Sequence, residues 1–260
     1  MKDLLILSPH SDDTAFSLAA IVGSEFIKKR FRLHQLTLFR YSNHCPYRSF
    51  ESVDLITKTR SDEDRSFADE HGILLETTEQ REGMLRGFPA VESLFQDGDP
   101  KLDSAFKETV SLVKKAVKKL QSPFICAPAA IGGHIEHKVV REAAYDVGAN
   151  DLLLYEDLPY AEDYSEKEIQ CNLRGFGGEP AQPLSVVADS IPEWKCSALL
   201  HYPSQVSQAE LDKVNRFHAR RRCVYQNRVD AGVVSEYTNQ EILWSTSNII
   251  ERFKLNFNDK

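Results

Sequence analysis

Two short clusters in the chain carry residue types that do chemistry. The first is Pro9-His10-Ser11-Asp12-Asp13, directly behind the apolar run Leu4 to Leu7. The second, far downstream, is His134-Ile135-Glu136-His137, preceded by Gly132-Gly133. Imidazoles and carboxylates in this mixture suit a hydrolytic metal site. Such sites hold the ion with three protein ligands and leave a position for water, whereas structural zinc is usually closed by four ligands, mostly cysteines. A bound divalent ion brings the pKa of its water towards ~7 and polarises a carbonyl. A nearby carboxylate can take the water's proton, and an imidazole can stabilise the oxyanion or protonate a leaving amine. Around a tight strand-to-helix turn, residues three apart can face one ligand, so His10 and Asp13 could share an ion while Asp12 stays free. His134 and His137 are also three apart, so one can bind metal while the other faces substrate. These parts suit hydrolysis of an amide or an ester.

The clusters work together only if the fold brings them to one place, and the surrounding pattern predicts that it does. Leu4 to Leu7, Leu36 to Phe39, Ile73 to Leu75, Phe124 to Ala127 and Leu152 to Tyr155 read as buried strands. Helical spacing covers Thr14 to Lys29, with Asp12, Asp13 or Thr14 as its cap, Val53 to Glu70 with Gly72 as a C-terminal cap, Lys101 to Gln121, and His137 to Val147. Strand and helix alternate to about residue 157, which predicts a mostly parallel sheet with helices on both faces. In such sheets ligands bind outside the carboxyl ends of the strands. His10, Asp12 and Asp13 follow the first strand, and His134 and His137 follow the fourth, so both clusters belong to the same edge. Beyond residue 158 the pattern is irregular. Gly175, Gly177, Gly178, Pro180 and Pro183 mark loops, Leu184 to Val187 reads as a strand, and helices are expected over Trp194 to Leu200 and Gln208 to Tyr225. The expectation is a single domain over 1–260, with an α/β core at 1–157 and a C-terminal extension at 158–260 packed on it.

Composition narrows the function. The chain has 260 residues, 27% of them charged, and a formal net charge of −7. An acidic chain argues against sequence-independent nucleic-acid binding. The basic stretch His218 to Arg222 reads as a solvated or carboxylate-paired helix end. No Gly-x-Gly-x-x-Gly follows the first strand, which argues against dinucleotide binding. No apolar stretch approaches the ~20 residues that span a bilayer, and no signal peptide is recognisable. Five scattered cysteines, Cys45, Cys126, Cys171, Cys196 and Cys223, suggest reduced thiols and a cytoplasmic setting.

The two motifs, in this order and at this distance, resemble the PIG-L/LmbE-like deacetylases, whose signature is Pro-His-x-Asp-Asp followed by a distant His-x-(Asp/Glu)-His. Arg60 and Glu63 ahead of Gly72, and Ser204-Gln205, add to the resemblance, which is strong over residues 1 to about 157 and weaker beyond. It implies a Rossmann-like fold and one divalent metal, usually Zn²⁺ and sometimes Fe²⁺, held by His10, Asp13 and His137. It implies Asp12 as general base, His134 as oxyanion stabiliser and proton donor, and Glu136 as the carboxylate orienting an imidazole. Arg60 matches a substrate-contacting position. Many members carry Pro and Glu where Ser11 and Thr14 stand here. The implied activity is removal of the N-acetyl group from an N-acetylglucosamine-type amino-sugar conjugate. An amidase acting on a non-sugar N-acyl metabolite, or a metal- or sugar-binding module without turnover, are the competing expectations.

Several loop residues at the same sheet edge are further candidates. Glu156, Asp157 and Tyr160 follow the fifth strand and could hold sugar hydroxyls. Arg40, Tyr41, Asn43 and His44 follow the second strand. The stretch Gln80 to Arg86 could reach the mouth of the site.

Overall fold

The computed structural model describes residues 1–148, 151–173, 179–221, 227–235 and 239–257. Its eight strands are β1 (Lys2–Ser8), β2 (Phe31–Thr37), β3 (Leu74–Thr77), β4 (Phe124–Pro128), β5 (Leu152–Tyr155), β6 (Gln182–Ala188), β7 (Arg228–Asp230) and β8 (Asn239–Ser245). They form one sheet in the order β3-β2-β1-β4-β5-β8-β6-β7. The pairs from β3 through β5 are parallel, and so is β6 with β7. Only β8 runs antiparallel, to β5 on one side and β6 on the other. The mostly parallel α/β architecture is therefore as expected. Leu4, Leu5, Ile6 and Leu7 of the central β1 are all buried, which is why that strand reads as an unbroken apolar run. The three strands after residue 158 continue the same sheet.

The long helix α4 (Val53–His71) starts where Ser52 accepts a hydrogen bond from the Leu55 N–H and stops at Gly72, whose φ of +67° a residue with a Cβ tolerates poorly. Asp64 on this helix is buried and accepts hydrogen bonds from Gln35 (2.9 Å), Thr37 (2.8 Å) and Tyr202 (3.3 Å), tying β2 to the C-terminal third of the chain. Burial pushes its carboxyl up to about 7, against those hydrogen bonds, which favour the ionised form. The folded state therefore holds a proton that the unfolded chain releases near pH 3.8. The contribution of this group is fully present below that pH and is lost as pH rises through about 7. Asp64→Asn should flatten the loss. Chemical denaturation from pH 4 to 8 should show the stability of the variant gaining on wild type by a few kcal/mol, at ~1.4 kcal/mol per pKa unit.

Three expectations need correction. The helix foreseen over Thr14 to Lys29 is broken into α1 (Asp13–Ser17), α2 (Ala19–Gly23) and α3 (Glu25–Lys28). An unbroken helix would join the Ala20 N–H to the Phe16 carbonyl. Instead Lys195 donates to the Phe16 carbonyl (2.6 Å), the Ala20 N–H donates to Glu241 (2.8 Å), and these two side chains pair with each other at 2.7 Å. A buried ion pair thus occupies the break and satisfies both orphaned backbone groups. At the second break Ser24 accepts from the Ile27 N–H and donates to the Ala231 carbonyl.

The helix foreseen from Lys101 begins later, as α5 (Phe106–Leu120), because Asp103 accepts from the Ala105 N–H and pairs with Arg86. The helix foreseen from His137 begins earlier, as α6 (Ile135–Asp146), with His134 as its N-cap.

Four more α-helices follow among the described residues: α7 (Glu166–Asn172), α8 (Ile191–Leu199), α9 (Gln208–Arg220) and α10 (Ser247–Leu255). The end of the helix foreseen to Tyr225 lies outside the described residues, as do Gly175, Gly177, Gly178, Arg222 and Cys223. Cys45, Cys126, Cys171 and Cys196 are free thiols. Among the described residues no helix is long and apolar enough to cross a membrane.

Candidate active site

β1 and β4 are neighbours, so their carboxyl ends deliver both motifs to one point. The His10–His134, His10–His137 and His134–His137 ring centroids lie 5.1, 5.3 and 5.2 Å apart. One ring nitrogen from each of the three lies within 4.8 Å of the others. Asp13 sits between two of these rings. Its Oδ2 accepts the His10 backbone N–H at 2.8 Å and lies 3.3 Å from His10 Nδ1, while its Oδ1 lies 3.4 Å from His137 Nε2. Asp12 occupies the N-cap of α1, but its side chain makes no capping hydrogen bond. Asp13 faces the imidazoles, and both aspartates line the cavity described below.

The far side of each of two imidazoles is fixed by a carboxylate. Glu136 lies 2.8 Å from His10 Nε2 and 2.9 Å from Arg86. Asp157 lies 2.6 Å from His137 Nδ1 and also accepts the Ile131 N–H. His137 Nε2 is buried without a hydrogen-bond partner. A buried, unpaired nitrogen facing a carboxylate, with its opposite nitrogen held by another carboxylate, is the donor arrangement of a metal-ligating histidine. The residues present therefore fit a divalent cation at His10, Asp13 and His137.

The electrostatics separate the groups. Burial works against the Asp13 carboxylate, yet the His137 and His10 charges hold it well below the usual carboxylate range. Burial likewise opposes Glu136, but its hydrogen bond and charge interaction with His10, helped by His134 and Arg86, bring it down to about 2. His134 is pushed the other way. Its own burial and the charges of His10 and His137 keep the imidazole neutral. Its Nδ1 accepts the Glu136 N–H at 3.3 Å, which places the ring proton on Nε2.

Arg60 is buried and directed at the site, not at its helical neighbours. It pairs with Glu82 at 2.5 Å, donates to Ser42 at 2.6 Å and lies 3.6 Å from Asp12. Glu63 instead takes the Ser204 hydroxyl and N–H.

The residues border a cavity of about 320 Å³. His10, Asp12, Asp13 and His134 form its polar base, Met84, Val91, Leu94 and Phe95 an apolar wall, and Gln205, Glu210 and Lys213 a rim from the α9 side. Tyr160 closes another side, and Gly132 lets it approach. A Cβ at Gly132 would lie 2.6 Å from the Tyr160 Cβ, and φ there is +88°.

Two expected substrate-facing residues do not line this cavity. Glu156 is buried against Arg221 (2.6 Å) and Trp244 (3.0 Å), and Asp157 is buried under His137. Both side chains turn into the protein just past the end of β5. Of the loop residues after β2, His44 reaches the cavity, whereas Arg40 pairs with Glu79 and Tyr41 with Asp54. Glu82 and Met84 from the stretch Gln80 to Arg86 line it, and Arg86 reaches Glu136. The apolar wall at Val91 to Phe95 and the α9 rim were not anticipated. The wall lies in a Gly- and Pro-punctuated segment with no periodicity, and the rim comes from the exposed face of a helix.

No family model matches the chain. It is 26% identical over 228 residues to the 2'-N-acetylparomamine deacetylase of Streptomyces fradiae, covering 84% of this chain and 78% of that one. It shares the LmbE-type α/β fold with solved deacetylase structures. Solved structures with the same fold include the zinc-inhibited form of teicoplanin deacetylase Orf2, with a TM-score of 0.61 at 20% identity over 94% of this chain and 99% of that one. They also include GalB, the 4-carboxy-2-hydroxymuconate hydratase of Pseudomonas putida, with a TM-score of 0.59 at 15% identity over 95% and 97%. The PIG-L/LmbE-like fold thus carries more than one reaction, and the reaction has to be argued from the site.

Proposed function

We propose that the protein is a metal-dependent N-deacetylase acting on an N-acetylated amino-sugar conjugate, with residues 1–260 as a single catalytic unit. The observation that carries this reading is the unpaired, buried His137 Nε2 beside Asp13 and His10, with Asp12 left free on the cavity side. Support for the amino-sugar class comes from the sequence relative, the 2'-N-acetylparomamine deacetylase. Support for a metal site comes from the buried cluster of His10, His134 and His137, and a teicoplanin deacetylase of the same fold takes up zinc, in an inhibited form.

In this reading His10, Asp13 and His137 hold one divalent cation, Zn²⁺ in preference to Fe²⁺. When bound, the cation polarises the acetyl carbonyl and acidifies the attacking water. Asp12 accepts the proton from that water as it attacks the carbonyl carbon. Arg60, 3.6 Å away, places a positive charge beside Asp12. His134 is neutral with its proton on Nε2, so it donates a hydrogen bond to the developing oxyanion and needs no prior protonation. The C–N bond then breaks, the amine nitrogen takes up a proton from this acid–base pair, and acetate leaves. Tyr160 and the apolar wall hold the sugar face and keep bulk water from the reacting carbonyl. Asp157 is a positioning residue, since it orients His137 without reaching the cavity. Asp157→Asn should weaken metal binding about 10–100-fold, as outer-shell substitutions do; competition with a zinc chelator measures this.

The fold shared with a hydratase keeps one alternative alive, addition of water to an activated double bond. An acetate-release assay on zinc-loaded protein separates the readings. N-acetylglucosaminides with varied aglycones should give acetate and free amine in equal amounts, and N-acetyl amino acids should not. Release from the amino acids alone would favour the amidase reading. Release from no N-acyl compound by a metal-loaded, folded protein would overturn the deacetylase assignment.

A further inference from the structure

A second group of metal-ligating side chains lies away from the catalytic cavity. Glu70 and His71 end α4, and His201 lies in the turn after α8. One ligand atom from each lies within 4.8 Å of the others. His71 is 8% exposed, and its Nε2 is buried with no hydrogen-bond partner. The ring also interacts with the Val22 backbone, and Nε2 is the nitrogen left unpaired. His201 is held at both nitrogens. Its Nδ1 lies 2.9 Å from the Ser66 hydroxyl, and its Nε2 lies 3.0 Å from a Glu70 oxygen. His201 thus has its far nitrogen anchored on Ser66 and its near nitrogen against the Glu70 carboxylate, beside the unpaired His71 Nε2.

We propose that Glu70, His71 and His201 form a second divalent-cation site, selective for a transition ion such as Zn²⁺ over Mg²⁺ or Ca²⁺. The two-nitrogen, one-carboxylate donor set is that of zinc-class ions, whereas magnesium and calcium take oxygen ligands. Lys28 is the nearby opposing charge, and its ammonium is paired with Glu25 at 3.1 Å. The site clamps the end of α4 to the segment that continues through Tyr202 and Ser204 to Gln205, a cavity-rim residue. The ion holds that segment in place and takes no part in the reaction.

The test is elemental analysis and zinc titration of the full chain, stripped with chelator and reloaded with Zn²⁺. Wild type should hold two zinc ions per chain, and His201→Ala should hold one. Glu70→Gln, which alters a mostly exposed side chain and leaves the fold intact, should weaken one of the two sites at least tenfold. His10→Ala should lose the other ion and keep this one, so loss of the catalytic site reads separately. Wild type binding a single ion that His10→Ala removes and His201→Ala keeps, or His201→Ala and Glu70→Gln both binding as many ions as wild type with unchanged affinity, would overturn the proposal.

Discussion

Asp12→Asn should lower the turnover number for acetate release by about 10²–10⁴-fold, the range general-base removal typically costs. Protein stability and metal content should stay close to wild type. Asp12 makes no capping hydrogen bond, and Asp13, not Asp12, sits against the imidazoles. Its nearest charged partner, Arg60, is already paired with Glu82. The amide keeps the shape of the carboxylate and cannot take the proton of the water. Steady-state kinetics with a metal determination on the same sample checks this. Retention of more than a tenth of the wild-type turnover would remove Asp12 from the role of base. A parallel loss of metal would instead make it a ligand.

The second large effect is expected on stability and lies outside the cavity. Lys195→Ala should destabilise the protein by about 3–5 kcal/mol, the cost of breaking a buried ion pair. At ~2–4 °C per kcal/mol for a chain of this size, the melting temperature should fall by roughly 6–20 °C. Glu241 would remain as a buried charge without its counter-ion, and the Phe16 carbonyl would lose its donor. The double variant Lys195→Met with Glu241→Gln should recover at least half of the loss. It removes both charges and leaves an amide oxygen for the Ala20 N–H. A single variant within 1 kcal/mol of wild type would show that the pair does not hold the helix break.

The parallel core was legible because strands buried on both faces must be apolar throughout, and β1 and β4 are. Their adjacency explains why two motifs more than a hundred residues apart could be assigned to one edge. The broken first helix was not legible. Phe16 to Ala20 carries a helical pattern, and the groups that interrupt it arrive from residues 195 and 241. Asp157 shows a subtler limit. A carboxylate after a strand looks the same in sequence whether it meets substrate or His137, and only the three-dimensional path of the loop decides. Arg60 had apparent partners in Glu63 and Asp64 at helical spacing, but the helix turns it towards Glu82, a residue of a loop without periodicity. The start of α6 was misplaced because histidine is an uncommon N-cap, and here its ring nitrogen takes the place of a hydroxyl or carboxylate.

The place of β8 between β5 and β6 has a consequence for how the chain reaches this structure during synthesis. The first five strands can associate as they emerge, but the edge of β5 stays open until residues 239–245 have left the ribosome. Open strand edges on incomplete sheets are sites of mispairing and aggregation. The same late strand brings Glu241, which fixes the turn that follows Asp12 and Asp13. The helix break behind the first motif is therefore completed only by segments made more than 170 residues later, and a nascent chain stalled before β8 would carry that break without the Lys195–Glu241 pair that fills it.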